Sequence, residues 1–553
     1  MKRVTFKSSL LGMLILLLLI LTACSNSSSN GGNQSPNDNI SNEINDNKGE
    51  DPSLPQEAMT FSVWSWINGA LSSAVKDYND IIPHQVLQEK TGVELEWVHP
   101  AVGTEQENFN LMVSGNELTD VILWGGLYKG GPEAAIKDKV ILPLNDLIDQ
   151  HAPNFKKLME QYPEIRKQIS TDDGEIYILP TVTPDNSIRS PHGAMIRADW
   201  LEKVGMSTPE TVDDWYAVLK AFKESDPNGN GEADELPFVA HKRYQPGALS
   251  GLEFPGFIVG AWGITTDFYQ VDGKVKYGPM EPEYKEYLET LHIWYKEGLI
   301  DPEFATTDKK SLDAKVTGEQ AGAFLGWASS GLGAYLEAMK ERNPAFKLVP
   351  VTTPVLKSGD KPLLGYQSPV FGGLGYVITT NAKDPAAIVR WIDYRFSEEG
   401  HLLANFGVEG ESYEIKDGNP VYTDKITNNP DYSISQALGL YTLRMTQSPF
   451  INDKDAYMQT LIFPEQKEAL TEWSKPSNER QIPSVHPSTE ESKQYGTIMS
   501  NVYTYMDEMF IKFVMGTESF SNYDAFVTNL EKLGIQEAID IKQSALDRYN
   551  ARN

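Results

Sequence analysis

Ten residues, Asp226-Pro-Asn-Gly-Asn-Gly-Glu-Ala-Asp-Glu, put oxygen-bearing side chains at loop positions 1, 3 and 5 and a glycine at position 6. Alternating oxygens at that spacing converge on one hard cation, as in an EF-hand-type calcium loop. Asp226, Asn228 and Asn230 would supply side-chain oxygens, and Glu232 a backbone carbonyl. Pro237 stands at position 12, where the EF-hand has its bidentate glutamate; Asp234 and Glu235, at positions 9 and 10, can take over that part. The loop therefore predicts a structural Ca2+ site. The competing use of the same residues is an Asn/Gly turn after a helix over Asp213 to Lys223.

Eleven tryptophans offer a second kind of chemistry. Flat apolar ring faces, with a few polar groups beside them, suit sugar rings. Most of these rings must be core. Trp97 falls in an alternating strand, and Trp200, Trp215, Trp294 and Trp391 fall on helix faces, where packing is the ordinary role. Trp64 and Trp66 end a first strand, Trp124 ends a third with Gly125-Gly126 behind it, and Trp262 and Trp327 lie in Gly-rich loops. Strand ends and such loops are where ligands meet an open α/β sheet, so these five are the candidate ring platforms. Glu105, Tyr366 and Gln367 are candidate polar companions. Arg189 and Arg197 could meet a uronate carboxylate, although an ion pair is the commoner use of such residues.

Catalytic signatures are missing. No H-E-x-x-H or G-x-S-x-G occurs, and the lone cysteine, Cys24, lies near the N-terminus. Carboxylate pairs such as Glu409 and Glu411 arise by chance among 77 acidic residues, so a secreted glycosidase is a subordinate reading and a binding protein the leading one. A surface adhesin that never passes ligand to a permease is a third.

The N-terminus carries Lys2, Arg3 and Lys7, an apolar run from Leu10 to Leu21, and Leu21-Thr22-Ala23-Cys24. This is a secretory leader over residues 1–23, and its run is too short for a comfortable membrane span. With one cysteine no intramolecular disulfide can form. Residues 25–58 are mostly Ser, Asn, Gly, Asp and Pro, a composition that cannot bury enough apolar surface to fold and reads as a tether. The whole chain carries a net charge of −29, spread along the body, and loses three positive charges with the leader. So acidic a body, lacking a basic face, disfavours nucleic acid and anionic lipid as partners.

The body, Met59 to Asn553, is longer than one typical domain and predicts two lobes. Met59-Thr-Phe-Ser-Val-Trp reads as a buried strand, Tyr78 to Thr91 as a helix, Val93 to Val98 as a strand, and Phe109 to Ser114 as the start of a helix ended by Gly115 at C′. Asp120-Val-Ile-Leu-Trp reads as the next strand. This β-α-β-α-β order opens an α/β sheet. The C-terminal part is helical, over Glu490 to Met515, Ser521 to Leu533 and Gln536 to Tyr549, with Gly516 and Gly534 as breaks.

Six stretches, met in order along the chain, resemble family 1 extracellular solute-binding lipoproteins of Gram-positive bacteria, relatives of the alginate-oligosaccharide-binding proteins. They are Leu142-Pro-Leu-Asn-Asp-Leu-Ile-Asp-Gln-His-Ala-Pro-Asn, Ile196-Arg-Ala-Asp-Trp-Leu, the Asp226 loop, Trp294-Tyr-Lys-Glu-Gly-Leu-Ile-Asp-Pro-Glu-Phe, Phe406-Gly-Val-Glu-Gly-Glu-Ser-Tyr and Ala545-Leu-Asp-Arg-Tyr. Leu-Thr-Ala-Cys likewise resembles a lipobox, which implies a diacylglyceryl anchor on Cys24 and a place on the outer face of the cell membrane. The resemblance implies two α/β lobes of the type II periplasmic-binding-protein kind, hinged, with a ligand cleft between them. Lobe 1 would take residues 59–184 and about 350–410, and lobe 2 residues 185–349 and about 411–553. It also implies a monomer that captures an oligosaccharide and delivers it to ABC permease subunits, and a calcium loop of the variant with Asp234 and Glu235.

Overall fold

A computed structural model of the chain describes residues 59–241, 251–254 and 256–552. Cys24, the leader and the tether lie outside the described residues. Two mixed sheets organise the body. The first has six strands: β1 (Met59–Trp64), β2 (Val93–Val98), β3 (Val121–Trp124), β4 (Leu179–Val182), β11 (Phe371–Ile378) and β14 (Phe450–Ile451), in the order β14-β4-β11-β3-β1-β2. The second has four, in the order β10-β5-β9-β6: β5 (His192–Arg197), β6 (Leu236–Val239), β9 (Ala321–Trp327) and β10 (Leu348–Val351). Two hairpins, β7–β8 (Phe268–Val271, Lys274–Tyr277) and β12–β13 (Tyr413–Lys416, Asn419–Tyr422), stand apart.

The first three strands form where the apolar pattern places them. All four residues of Val121–Trp124 are buried, as expected of a strand covered on both faces. β1 pairs in parallel with both β2 and β3, while β11 runs antiparallel to β3 and to β4. The helix boundaries are sharper than the periodicity suggests. Residues 78–80 form a separate single turn, and the helix proper begins at Ile82, because Pro83 lacks an N–H and fits only a first turn. The next helix starts at Glu105, four residues early, with Glu105 and Glu107 on its positive end. The C′ position expected at Gly115 is taken by Asn116, at φ +55°, since asparagine tolerates the left-handed region. Gly516 does end its helix as expected, at φ +74° with its N–H on Lys512 and Phe513 carbonyls.

Each sheet has its own core. Phe61, Trp64, Phe109, Tyr376 and Trp391 belong to the cluster around the first. Trp200, Trp215, Phe238 and Trp294 belong to the second, and residues of the long C-terminal helix Thr489–Met515 join them. The chain crosses between the sheets after β4, after β10 and again after β14, beyond which the helix Pro464–Trp473 packs on the second sheet through Trp473, whose indole donates to the Ala194 carbonyl at 3.1 Å. The last strand of the first sheet, β14, lies past residue 410, where the sequence places the return to the second lobe.

Candidate functional site

Trp327 is the last residue of β9, and in the antiparallel β5–β9 pair its register partner is His192. The two rings meet edge to face at 5.0 Å, and Phe254 and Tyr366 close on the same imidazole at 4.4 and 5.9 Å. Trp327 keeps 43% of its surface exposed, the one tryptophan among the large exposed hydrophobic side chains of the described residues. This aromatic box borders a cavity of about 440 Å³ that Tyr335, His241 and Lys309 also line. A short π-helical turn, Ala328–Gly333, follows Trp327 directly; such turns recur at functional sites. Burial drives the His192 imidazole down to a pKa of about 3, aided by His241, and its Nδ1 has no protein partner.

A second cavity, about 460 Å³, opens at the carboxyl end of β3. Trp124, Tyr128, Tyr177, Phe371 and His486 bring rings to it, and Gly372-Gly373 also line it. β11 shifts register between Phe371 and Gly375, with Gly373 at φ +89°, a bulge that bends the strand beside the cavity. Tyr366 lines the first cavity, and Pro369 with Phe371 to Leu374 the second, so the crossover and the start of β11 serve both. An ion pair also lines this cavity. Arg552 pairs with Asp172 and donates to the Ser170 and Lys167 carbonyls at 2.6 and 2.9 Å, while Arg548 bridges Asp172 and Glu491. These contacts join the last helix, Ile535–Ala551, packed with the second sheet's core, to the loop that precedes β4.

Of the sequence candidates, Trp327 and Tyr366 come together, and Trp124 lines the second cavity. Trp66 is half-buried beside it: a Cβ on Gly125 would stand 2.6 Å from its ring, so glycine there lets the indole lie across the strand end. Trp64 is corrected. At 1% exposure it is a core residue against Phe109 and Trp66, because both faces of the β1 end are covered. Trp262 lines neither cavity; its indole donates to Glu286 and its ring meets Tyr287. Glu105 accepts the Gly103 N–H at the start of its helix. Arg189 donates through Nε to the Ser368 carbonyl and through a terminal nitrogen to Asn186, both at 2.7 Å, so it staples one crossover to the other. Gln367 accepts from Gln481 on its backbone carbonyl. Arg197 is buried against Asp199 in a two-pronged pair and lies over the Trp200 and Phe346 rings, a core ion pair. His192 and Phe254 were missed: the β5–β9 register brings His192 to Trp327, the loop after β6 brings Phe254 onto His192, and no local pattern announces either.

The Asp226 loop joins the helix Val212–Glu224 to β6. Asp226, at φ +45°, accepts the Gly229 and Asn230 N–H groups on one oxygen and Gly231 on the other, at 2.9 to 3.2 Å. Asn228 and Asn230 accept the N–H groups two residues on and donate their amides to Asp234. Burial alone would raise Asp234, but these amides and Gln320 outweigh it and hold the carboxyl below its ordinary range. Glu235 is fully buried with one oxygen unpartnered. Burial, then the nearby Asp226 and Asp234, push its carboxyl up. Among the described residues no group of three or more His, Cys, Asp or Glu side chains is arranged to hold a metal. The loop is nevertheless rich in the oxygen donors a hard cation takes, and the buried oxygen of Glu235 lacks any donor.

Comparison with known proteins agrees with this architecture. The chain is 28% identical over 528 residues, 91% of its length and 95% of the other's, to the fructooligosaccharide ABC transporter substrate-binding protein FusA of Streptococcus pneumoniae. It is 27% identical over 410 residues to lipoprotein LipO of Bacillus subtilis, covering 71% of this chain and 75% of that one. The crystal structure of alginate-binding protein AlgQ2 without calcium ion superposes with a TM-score of 0.70 at 28% identity, over 90% of this chain and 99% of that one. Both lobes are thus those of two-lobe solute-binding proteins. Residues 69–401 match the family described as bacterial extracellular solute-binding protein, and the chain belongs to that family.

Proposed function

We propose that this protein is the lipid-anchored capture component of an ABC importer, which takes an oligosaccharide into the cleft between its lobes and delivers it to membrane permease subunits without cleaving it. The observation that carries the proposal is the half-exposed Trp327 in its box of His192, Phe254 and Tyr366, at the carboxyl end of a strand. An apolar ring platform with few polar groups is what a sugar face requires. The relatives named for fructooligosaccharide and alginate binding support the class of ligand. Trp66, Trp124, Trp262, Glu105, Arg189, Tyr366 and Gln367 are proposed to border or brace the site. Asp226, Asn228, Asn230, Glu232, Asp234 and Glu235 are proposed to hold a structural Ca2+, which would fix the loop as a unit. Sheet membership supports a division with residues 59–184 and about 352–451 in the first lobe and residues 185–351 and about 452–553 in the second.

Anchoring is proposed to rest on Cys24, with two or more acyl chains, at about 0.8 kcal/mol per buried methylene, holding the body above the membrane. Deleting the gene is expected to abolish growth on one class of oligosaccharide while growth on the constituent sugar continues. Complementation with Cys24→Ser should leave the protein in the medium or with an uncleaved leader. Full growth of the deletion strain on every oligosaccharide would contradict the importer reading. Wild-type membrane retention of the Cys24→Ser chain would contradict the anchor.

A further inference from the structure

We infer that the aromatic box selects an uncharged sugar unit and that His192 is its specificity-determining residue, reading one hydroxyl of that unit. The inference rests on the oligosaccharide-capture reading above and narrows it to neutral glycans.

Three observations carry it. First, His192 sits among Phe254, Trp327 and Tyr366, all ring contacts, and its buried Nδ1 has no hydrogen-bond partner in the protein. A buried polar atom left unpaired is unfavourable, and in a cavity bordered by a ring platform a ligand hydroxyl satisfies it. Second, the imidazole is held neutral by burial. It can exchange a hydrogen bond with a hydroxyl but offers no charge to a carboxylate. Third, the cations of the two cavities are already committed. Lys309 pairs with Asp313 beside Tyr335, and Arg552 pairs with Asp172. Burial lowers His486 in the second cavity, and Arg189 and Arg197 are engaged in the crossover and the core. Glu133 and Asp172 add negative charge to that cavity's wall. A uronic acid would therefore find no uncommitted cation among the described residues that line the two cavities, and it would enter against a strongly acidic body, which is costly for a desolvated carboxylate. Lys242 and Arg243, which follow His241, lie outside the described residues.

The test is equilibrium titration of the purified protein with two sets of probes: neutral fructo-, xylo- and galacto-oligosaccharides, and acidic oligogalacturonate and oligoalginate. At least one neutral set should bind and the acidic sets should not. His192→Phe keeps a ring in the box but removes both nitrogens; affinity for the neutral probe should fall at least tenfold with an unchanged melting temperature. His192→Gln, which restores a hydrogen-bonding group, should recover part of the loss. Tight binding of the acidic probes alone, or wild-type affinity in a folded His192→Phe protein, would overturn the inference while leaving oligosaccharide capture intact. Binding of no glycan from either set would instead defeat the capture reading, and this inference with it.

Discussion

Removing calcium with a chelator is expected to lower the melting temperature of the protein by several degrees, and added calcium to restore it. Three carboxylates, Asp226, Asp234 and Glu235, gather in one loop, and Glu235 is buried with an oxygen that meets no donor. Holding such a set ionised without a cation is unfavourable. A ligand present at 100 times its dissociation constant adds about 2.7 kcal/mol to the folded state, and each kcal/mol moves the melting point of a lobe this size by roughly 2–4 °C. The sign with pH is fixed by Glu235. Its folded pKa is raised above the unfolded value, so in chelator its contribution favours folding at low pH and is lost as pH rises through the folded pKa. With calcium the ionised form is the useful one, and the gain from calcium should grow over that same window and vanish well below it. Asp226→Ala should abolish the response. Glu235→Gln should melt above wild type in chelator and gain less from calcium, because it buries no charge. Equal melting of the wild-type chain with and without chelator would reduce the loop to a turn. Ligand affinity should change far less than stability: Glu235 lies six residues before His241, or about 20 Å of extended chain, so the loop braces one end of β6 while the cavity lies at the other.

Trp327→Ala is expected to weaken oligosaccharide binding by about 2 kcal/mol or more, roughly thirtyfold, the usual cost of truncating a central aromatic anchor. Stability should move by about 1 kcal/mol or less, since the ring is already 43% exposed and its packing is confined to the box. Trp215→Ala makes the contrasting control. Its ring is wholly buried against Phe238 and Phe257, and its removal should cost about 3–5 kcal/mol of stability. Trp262→Ala, already tied to Glu286, should alter affinity much less than Trp327→Ala. Calorimetric titration and thermal melts of the three variants separate these outcomes. A Trp327→Ala protein that binds like wild type would remove the ring platform from the account.

The elements that could be read locally were those with strong short-range causes. The alternating and all-apolar strands at 59–64, 93–98 and 121–124, the glycine stop at Gly516 and the packing role of Trp200, Trp215, Trp294 and Trp391 all depend on neighbours within a few residues. The turn geometry of the Asp226 loop is local too, since its side chains accept N–H groups within five positions of their own. What the sequence could not express was pairing at long range. Trp64 ends a strand just as Trp327 does, yet one is core and the other half-exposed, and the difference lies in what covers each strand end. His192 acquires its setting from a register with a residue 135 positions away. Arg189 and Arg197 look alike as candidate carboxylate binders, but one staples two crossovers and the other is a core ion pair. The sixth strand of the first sheet is only two residues long, too short for any periodicity to reveal.

The central claim, capture of an oligosaccharide without chemistry upon it, is tested most directly by incubating the purified protein with an oligosaccharide panel, measuring the heat of binding and then the sugars themselves. Saturable binding of at least one oligosaccharide, with the bound glycan recovered intact, is the predicted result. Binding confined to amino acids or peptides, or release of shorter sugars from the panel, would contradict it.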